Sequence, residues 1–205
     1  MRVAPLRHDQ LGDVVTIHTR AFADSAITAF GAEAIRRYYL WLLDGPHDAV
    51  LTGAWRDHQL VGFCAAGIYR GAMNGFLRAN RRYLALRIAT HPWLALSPMI
   101  RDRLKSAIKI TMRYSRIGSA KTAQSPPFGV LSIATDPAVR GSGAGRALML
   151  EAEQRARAGG HPRMLLTVHP DNTRAVTFYE QLGWQRVAND GPWSGQMERL
   201  LSSSP

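Results

Sequence analysis

The amino-acid sequence predicts an α/β fold of the α+β kind, with one sheet flanked by helices and a helical insertion between the third and fourth strands. Three observations carry that reading. Short apolar runs of strand type alternate with amphipathic helical stretches, a glycine-rich turn joins a strand to a helix at residues 135–146, and one basic stretch interrupts the strands. A chain of 205 residues is long enough for one domain with a full core.

The elements follow in order. Val3–Arg7 reads as a short strand. Asp9 is placed to cap a helical pattern running through Phe22, with Leu11, Val14, Val15 and His18 on one face. Ile27–Leu43 reads as a second helix, stopped by Asp44-Gly45-Pro46. Ala49–Trp55 and Leu60–Tyr69 are strand-like, joined by the polar turn Arg56-Asp57-His58-Gln59. Asn74–Ala89 reads as a helix ended by His91-Pro92. Ile100, Leu104, Ala107, Ile108 and Thr111 form a helical apolar stripe, and Gly118–Pro127 is a polar loop. The pattern then becomes regular. Phe128–Thr135 is a strand, Gly143–Ala158 a helix, Arg163–Val168 a strand and Thr173–Leu182 a helix. Gln185–Ala188 and Gln196–Leu200 are weaker strands.

Apolar content of 46% and charged content of 20% are those of an ordinary globular protein. No apolar run approaches the ~18–20 residues that span a bilayer. The start, Met1-Arg2-Val3-Ala4-Pro5-Leu6-Arg7, lacks the apolar core of a signal peptide. The lone Cys64, in Leu60-Val61-Gly62-Phe63-Cys64-Ala65-Ala66, reads as a packed core thiol. The expected compartment is therefore the cytoplasm, with an anionic inner membrane face as a further place of contact.

The net charge of +11 has one location. Residues 70–126 hold 12 Lys and Arg against the single acid Asp102, and the remaining 14 basic and 14 acidic residues cancel. Several roles fit this stretch. Its cations could recognise phosphate on an acceptor, its Trp93, Tyr83 and Leu residues could lie on an anionic membrane, or it could form a solvated hairpin or a homodimer contact. Nucleic acid fits least well, because clustered charge is the only sign of it.

The chemistry concentrates in Thr135-Asp136-Pro137-Ala138-Val139-Arg140-Gly141-Ser142-Gly143-Ala144-Gly145-Arg146. A strand ends, a glycine-rich loop turns and a helix begins. Glycine admits positive φ and close approach, so the loop can aim several N–H groups at one point. The helix N-terminus adds unpaired donors and the positive end of its dipole. Together they suit a pyrophosphate. A P-loop is excluded because no Lys follows the last glycine, and a dinucleotide fingerprint is excluded by Arg146 at its third glycine.

Arg140-x-x-Gly143-x-Gly145 resembles the Q/R-x-x-G-x-G/A signature of the GNAT superfamily of acetyl-CoA-dependent N-acetyltransferases. Leu131–Pro137 looks like the family's preceding strand, and Val168–Trp184 like its following motif. The resemblance is specific over 128–188, loose over 3–69 and absent over 70–127. It implies a single domain over 1–205, built on a central mixed, mostly antiparallel twisted sheet, with 70–127 as a basic helical insertion. It also implies acetyl-CoA as co-substrate, without a metal. Backbone groups of Ile133, Ala134 and Thr135 would pair with the pantetheine arm. Arg140, Gly141, Ser142, Gly143, Ala144, Gly145 and Arg146 would surround the pyrophosphate, and Asn172 would touch the pantetheine. Tyr179 would be the general acid for the leaving thiolate.

The residues offer two readings of the general base. Relatives often carry a Glu where Thr167 stands, and Phe128, Gly129 and Val130 supply no carboxylate. His169 could share the face of Thr167 if the strand continues. A turn histidine with a structural hydrogen bond, and a water chain as base, is the other reading. The expected activity is transfer of an acetyl group to a primary amine of a small-molecule or amino-sugar-type acceptor. The alternative is an acetyl-CoA-binding sensor or interaction module.

Overall fold

Among the described residues, seven strands form one sheet: β1 (Arg2–Pro5), β2 (Asp48–Arg56), β3 (Gln59–Ile68), β4 (Phe128–Thr135), β5 (Arg163–Thr167), β6 (Gln185–Arg186) and β7 (Gln196–Leu200). Their order is β1-β2-β3-β4-β5-β7-β6. The computed structural model describes residues 1–69, 72–96 and 127–201. Every pairing is antiparallel except that of β4 with β5. The helices are α1 (Leu11–Ala21), α2 (Ala26–Ala29), α3 (Ala32–Asp44), α4 (Ala72–Ala79), α5 (Arg81–Thr90), α6 (Trp93–Leu96), α7 (Ala144–Ala158) and α8 (Thr173–Gln181). The mixed, mostly antiparallel sheet flanked by helices is thus the architecture that the sequence implied.

Side chains alternate across a strand, so a sheet covered on both faces has two cores. On one face Val61, Cys64, Val130, Met164 and Leu166 pack with Leu148 and Ala152 of α7 and with Val176 and Tyr179 of α8. On the other, Leu51, Phe63 and Ala65 pack with Leu11 and Val14 of α1 and with Ile35 and Tyr39 of α3. Both faces of β3 are buried, which explains its nearly continuous apolar sequence. Cys64 lies in the first core with its thiol pushed up to about 12 by burial, consistent with a packing residue.

Several helix boundaries differ from those read in the sequence, each for a local reason. Asp9 does not cap α1. It sits in a 3-10 turn (His8–Gln10), where Arg7 captures its carboxylate at 3.0 Å, and α1 begins at Leu11. The stretch 27–43 divides into α2 and α3 because Gly31 adopts φ +95°. The stretch 74–89 divides at Asn80, whose side chain donates to the Phe76 carbonyl at 3.1 Å and competes with the helix ladder. The apolar stripe from Ile100 to Thr111 lies outside the described residues.

Two irregularities shape the middle of the sheet. Ala65 pairs with Ser132 and Ala66 with Val130, so Leu131 is an extra, unpaired residue in β4. Such a bulge bends its strand and increases local twist. Beyond it the parallel ladder stops. β4 and β5 pair only at Phe128↔Met164, Gly129↔Leu165 and Val130↔Leu166. The Val168 N–H then turns to the Gly195 carbonyl at 2.9 Å, while β5 stays paired to β7 along its length.

Leu148 joins α7 to β3 at 0% exposure. Leu148→Ala should destabilise the protein by about 2–5 kcal/mol, the range for truncating a buried leucine. Denaturant unfolding measures this; a loss below about 1 kcal/mol would show that α7 is not packed on the sheet as described.

Candidate functional site

The parting of β4 from β5 leaves Ser132–Thr135 with partners on one side only, from β3, and the bulge residue Leu131 with none on either side. One edge of β4 therefore carries unpaired backbone groups, which a ligand with amide groups can meet as an added strand. Ala134 is buried, Ile133 and Thr135 are half-buried, and Leu131 is 38% exposed.

The glycine loop begins where β4 ends. Asp136 caps a 3-10 turn (Pro137–Val139) by accepting the Ala138 N–H at 2.9 Å. Arg20 of α1 holds the same carboxylate at 2.8 Å, tying α1 to the root of the loop. Gly141 and Gly143 have φ of +79° and +82°, and a Cβ added at either would meet nothing within 4 Å. The loop thus faces open space at both glycines. The cap residue Gly143 has no side chain, so the N–H groups of Ala144, Gly145 and Arg146 open α7 without a side-chain acceptor. Ser142 points a buried Oγ with no hydrogen-bond partner among the described residues. This is a set of donors and small residues suited to a diphosphate, and the residues fit such a group.

Gly145 packs α7 against the second motif. A Cβ there would come within 3.3 Å of Phe178 Cζ and 3.8 Å of Thr135 Cγ2. This contact sets α8 beside the loop. Asn172 caps α8 by accepting the Ala175 N–H at 3.2 Å. Tyr179 lies seven residues further along the helix, buried against Phe178 and Trp184 at ring distances of 5.3 and 6.2 Å. Burial raises the phenol pKa above its ordinary value, so the group keeps its proton throughout the physiological range.

His169 lies beyond the end of β5, with 75% of its side chain exposed. Its Nδ1 accepts the Asp171 N–H at 3.3 Å, which leaves Nε2 open. The strand does not continue through it, since Pro170 cannot donate to a ladder.

The model of the acetyltransferase (GNAT) family matches residues 107–184. Over the whole chain, the fold resembles a PaiA N-acetyltransferase from Thermoplasma acidophilum in complex with coenzyme A, with a TM-score of 0.59 at 14% identity and 98% coverage of both chains. Residues 107–184 are thus similar to the GNAT acetyltransferase family. Among curated proteins, a mycothiol acetyltransferase from Thermobispora bispora is 40% identical over 71 residues, which are 35% of this chain and 24% of that one. The N-alpha-acetyltransferase RimI of Mycobacterium tuberculosis is 39% identical over 72 residues, 34% of this chain and 44% of that one. The match thus spans less than half the length of either curated relative.

The sequence reading missed residues that reach the open part of β4 from elsewhere. Ser132 Oγ lies 3.0 Å from Tyr39 Oη of α3, and Tyr39 Oη lies 2.8 Å from His18 Nδ1 of α1. The available signals were a lone histidine on the apolar face of α1 and a serine inside an apolar strand. Arg20 left no such signal.

Gly143→Asp should place a carboxylate beside the loop donors and strain a residue held at positive φ. Calorimetry with coenzyme A should show affinity reduced by at least ~100-fold, or about 2.7 kcal/mol. Unchanged affinity in a folded variant would remove the loop from the binding site.

Proposed function

We propose that the protein transfers an acetyl group from acetyl-CoA to a primary amine of a small-molecule or amino-sugar-type acceptor, by direct attack in a ternary complex. The observation that carries this reading is the open edge of β4 beside a glycine loop whose helix N-terminus lacks a side-chain cap. Acetyl-CoA, when bound, supplies a thioester carbonyl open to a neutral amine.

Each protein group then has a task. Ile133, Ala134 and Thr135 hold the pantetheine amides through their backbone, and an N–H near Ala134 stabilises the oxyanion. Arg140, Gly141, Ser142, Gly143, Ala144, Gly145 and Arg146 surround the pyrophosphate. Asn172, while capping α8, turns its remaining amide toward the pantetheine arm. Tyr179 gives its phenolic proton to the departing sulfur as the C–S bond breaks. The proton lost by the amine goes to His169 through its open Nε2, or to a water chain. Residues 1–205 act as one catalytic domain, with 70–127 as a basic insertion that meets phosphate-bearing acceptors or an anionic membrane surface.

The mycothiol, RimI and PaiA names support amine acetylation as the class of reaction. Among the described residues, no helix is long and apolar enough to cross a membrane. We place the reaction in the cytoplasm.

Thiol release from acetyl-CoA with a panel of amino sugars, polyamines and peptide N-termini tests the proposal. Release that depends on one class of amine supports it. Tight coenzyme A binding with no turnover on any amine would make the protein a sensor instead. Tyr179→Phe removes the transferable proton and keeps the packed ring. Turnover should fall by ~10²–10⁴-fold with coenzyme A affinity unchanged. Because burial raises the phenol pKa, ionisation of Tyr179 should cause no loss of rate up to about pH 10. Full turnover in Tyr179→Phe would make the ring structural only.

A further inference from the structure

A line of hydrogen bonds runs from the carbonyl of Phe22 through four side chains to Ser132 in the open part of β4. Its direction can be worked out from the far end. A carbonyl only accepts, so Thr28 Oγ1, 2.8 Å from the Phe22 oxygen, donates to it. That uses the single Thr28 hydroxyl proton. Ser25 Oγ, 2.8 Å from Thr28 Oγ1, must therefore donate to Thr28. Ser25 Oγ also accepts the Thr28 N–H at 3.2 Å, so toward His18 Nε2, 3.4 Å away, it can only accept. His18 then carries its proton on Nε2.

The remaining links follow. Burial lowers the imidazole pKa to about 4, so near neutral pH the ring holds one proton and its Nδ1 accepts. Tyr39 donates to Nδ1 at 2.8 Å, which leaves the Tyr39 oxygen to accept. Ser132 donates to Tyr39 at 3.0 Å, which leaves the Ser132 oxygen with lone pairs and no proton to offer. Every donor in the line points away from β4, and aligned bonds polarise one another.

We infer that Ser132 is the acceptor-binding residue of the site: its oxygen, with its proton held by Tyr39 and His18, receives an N–H of the incoming amine and turns the nitrogen lone pair toward the thioester. The inference rests on the acetyl-transfer reading. Three placements support it. Ser132 follows the bulge at Leu131, beyond the last pairing of β4 with β5. It is half-buried on the strand that ends in the glycine loop. No carboxylate stands elsewhere on β4 to receive an N–H. Tyr39 and His18 are positioning residues. The low basicity of His18 makes it a poor store for the amine proton, so the line orients and does not deprotonate.

Two measurements test this. The first is ¹⁵N NMR of the His18 ring in the free protein near neutral pH. Expected is a protonated Nε2 with an unprotonated Nδ1; a proton on Nδ1 reverses the line and overturns the inference. The second compares Ser132→Ala and Ser132→Thr on the best amine of the panel. Ser132→Ala should raise the acceptor KM by about tenfold with coenzyme A affinity unchanged, and Ser132→Thr should restore most of it. Tyr39→Phe, which keeps the ring, should raise the same KM by a smaller factor. An active parent with an unchanged KM in Ser132→Ala overturns this inference alone. A parent that acetylates no amine overturns the acetyl-transfer reading, and amine recognition with it.

Discussion

The site depends on two neighbouring strands that begin together and then part. β4 and β5 share three paired positions and no more. On one side the extra residue Leu131 bends β4. On the other, Val168 turns to Gly195, and Pro170 prevents the strand from resuming. A parallel ladder interrupted in the middle of a sheet leaves backbone groups that something must satisfy. A pantetheine arm carries amides, and so it matches that need chemically.

The two cores make the gap durable. β3 is buried on both faces and keeps pairing with β4 beyond the bulge, so the open strand is held from behind. β5 is held along its length by β7. The helices then place chemistry at the mouth. α7 presents its free N–H groups, and α8 brings Tyr179 to the same side through the contact of Gly145 with Phe178. From the opposite face, α1 contributes Arg20 to the root of the loop, and α1 and α3 contribute the His18–Tyr39 pair behind Ser132.

Much of this was legible in the sequence where the information is local. The strand–glycine loop–helix unit lies within a few consecutive residues, and β4 and β7 have the ends read from their patterns. The helix breaks at Gly31 and Asn80 were missed because the apolar period continues through them, while backbone conformation and a side-chain bond decide the boundary. Asp9 looked like a cap by position, but an adjacent Arg7 took its carboxylate. The parting of the strands depends on pairing between distant segments, which leaves no mark in either one. The line from Phe22 to Ser132 joins three segments and could not be assembled from spacing.

Amide hydrogen exchange with and without coenzyme A examines the open edge of β4 most directly. Expected is added protection concentrated at 131–135 and 141–146, with little change in β1, β2 or the α1 surface around Asp13. Saturating coenzyme A that leaves both segments unprotected, or protects the α1 surface instead, would contradict binding between β4 and β5.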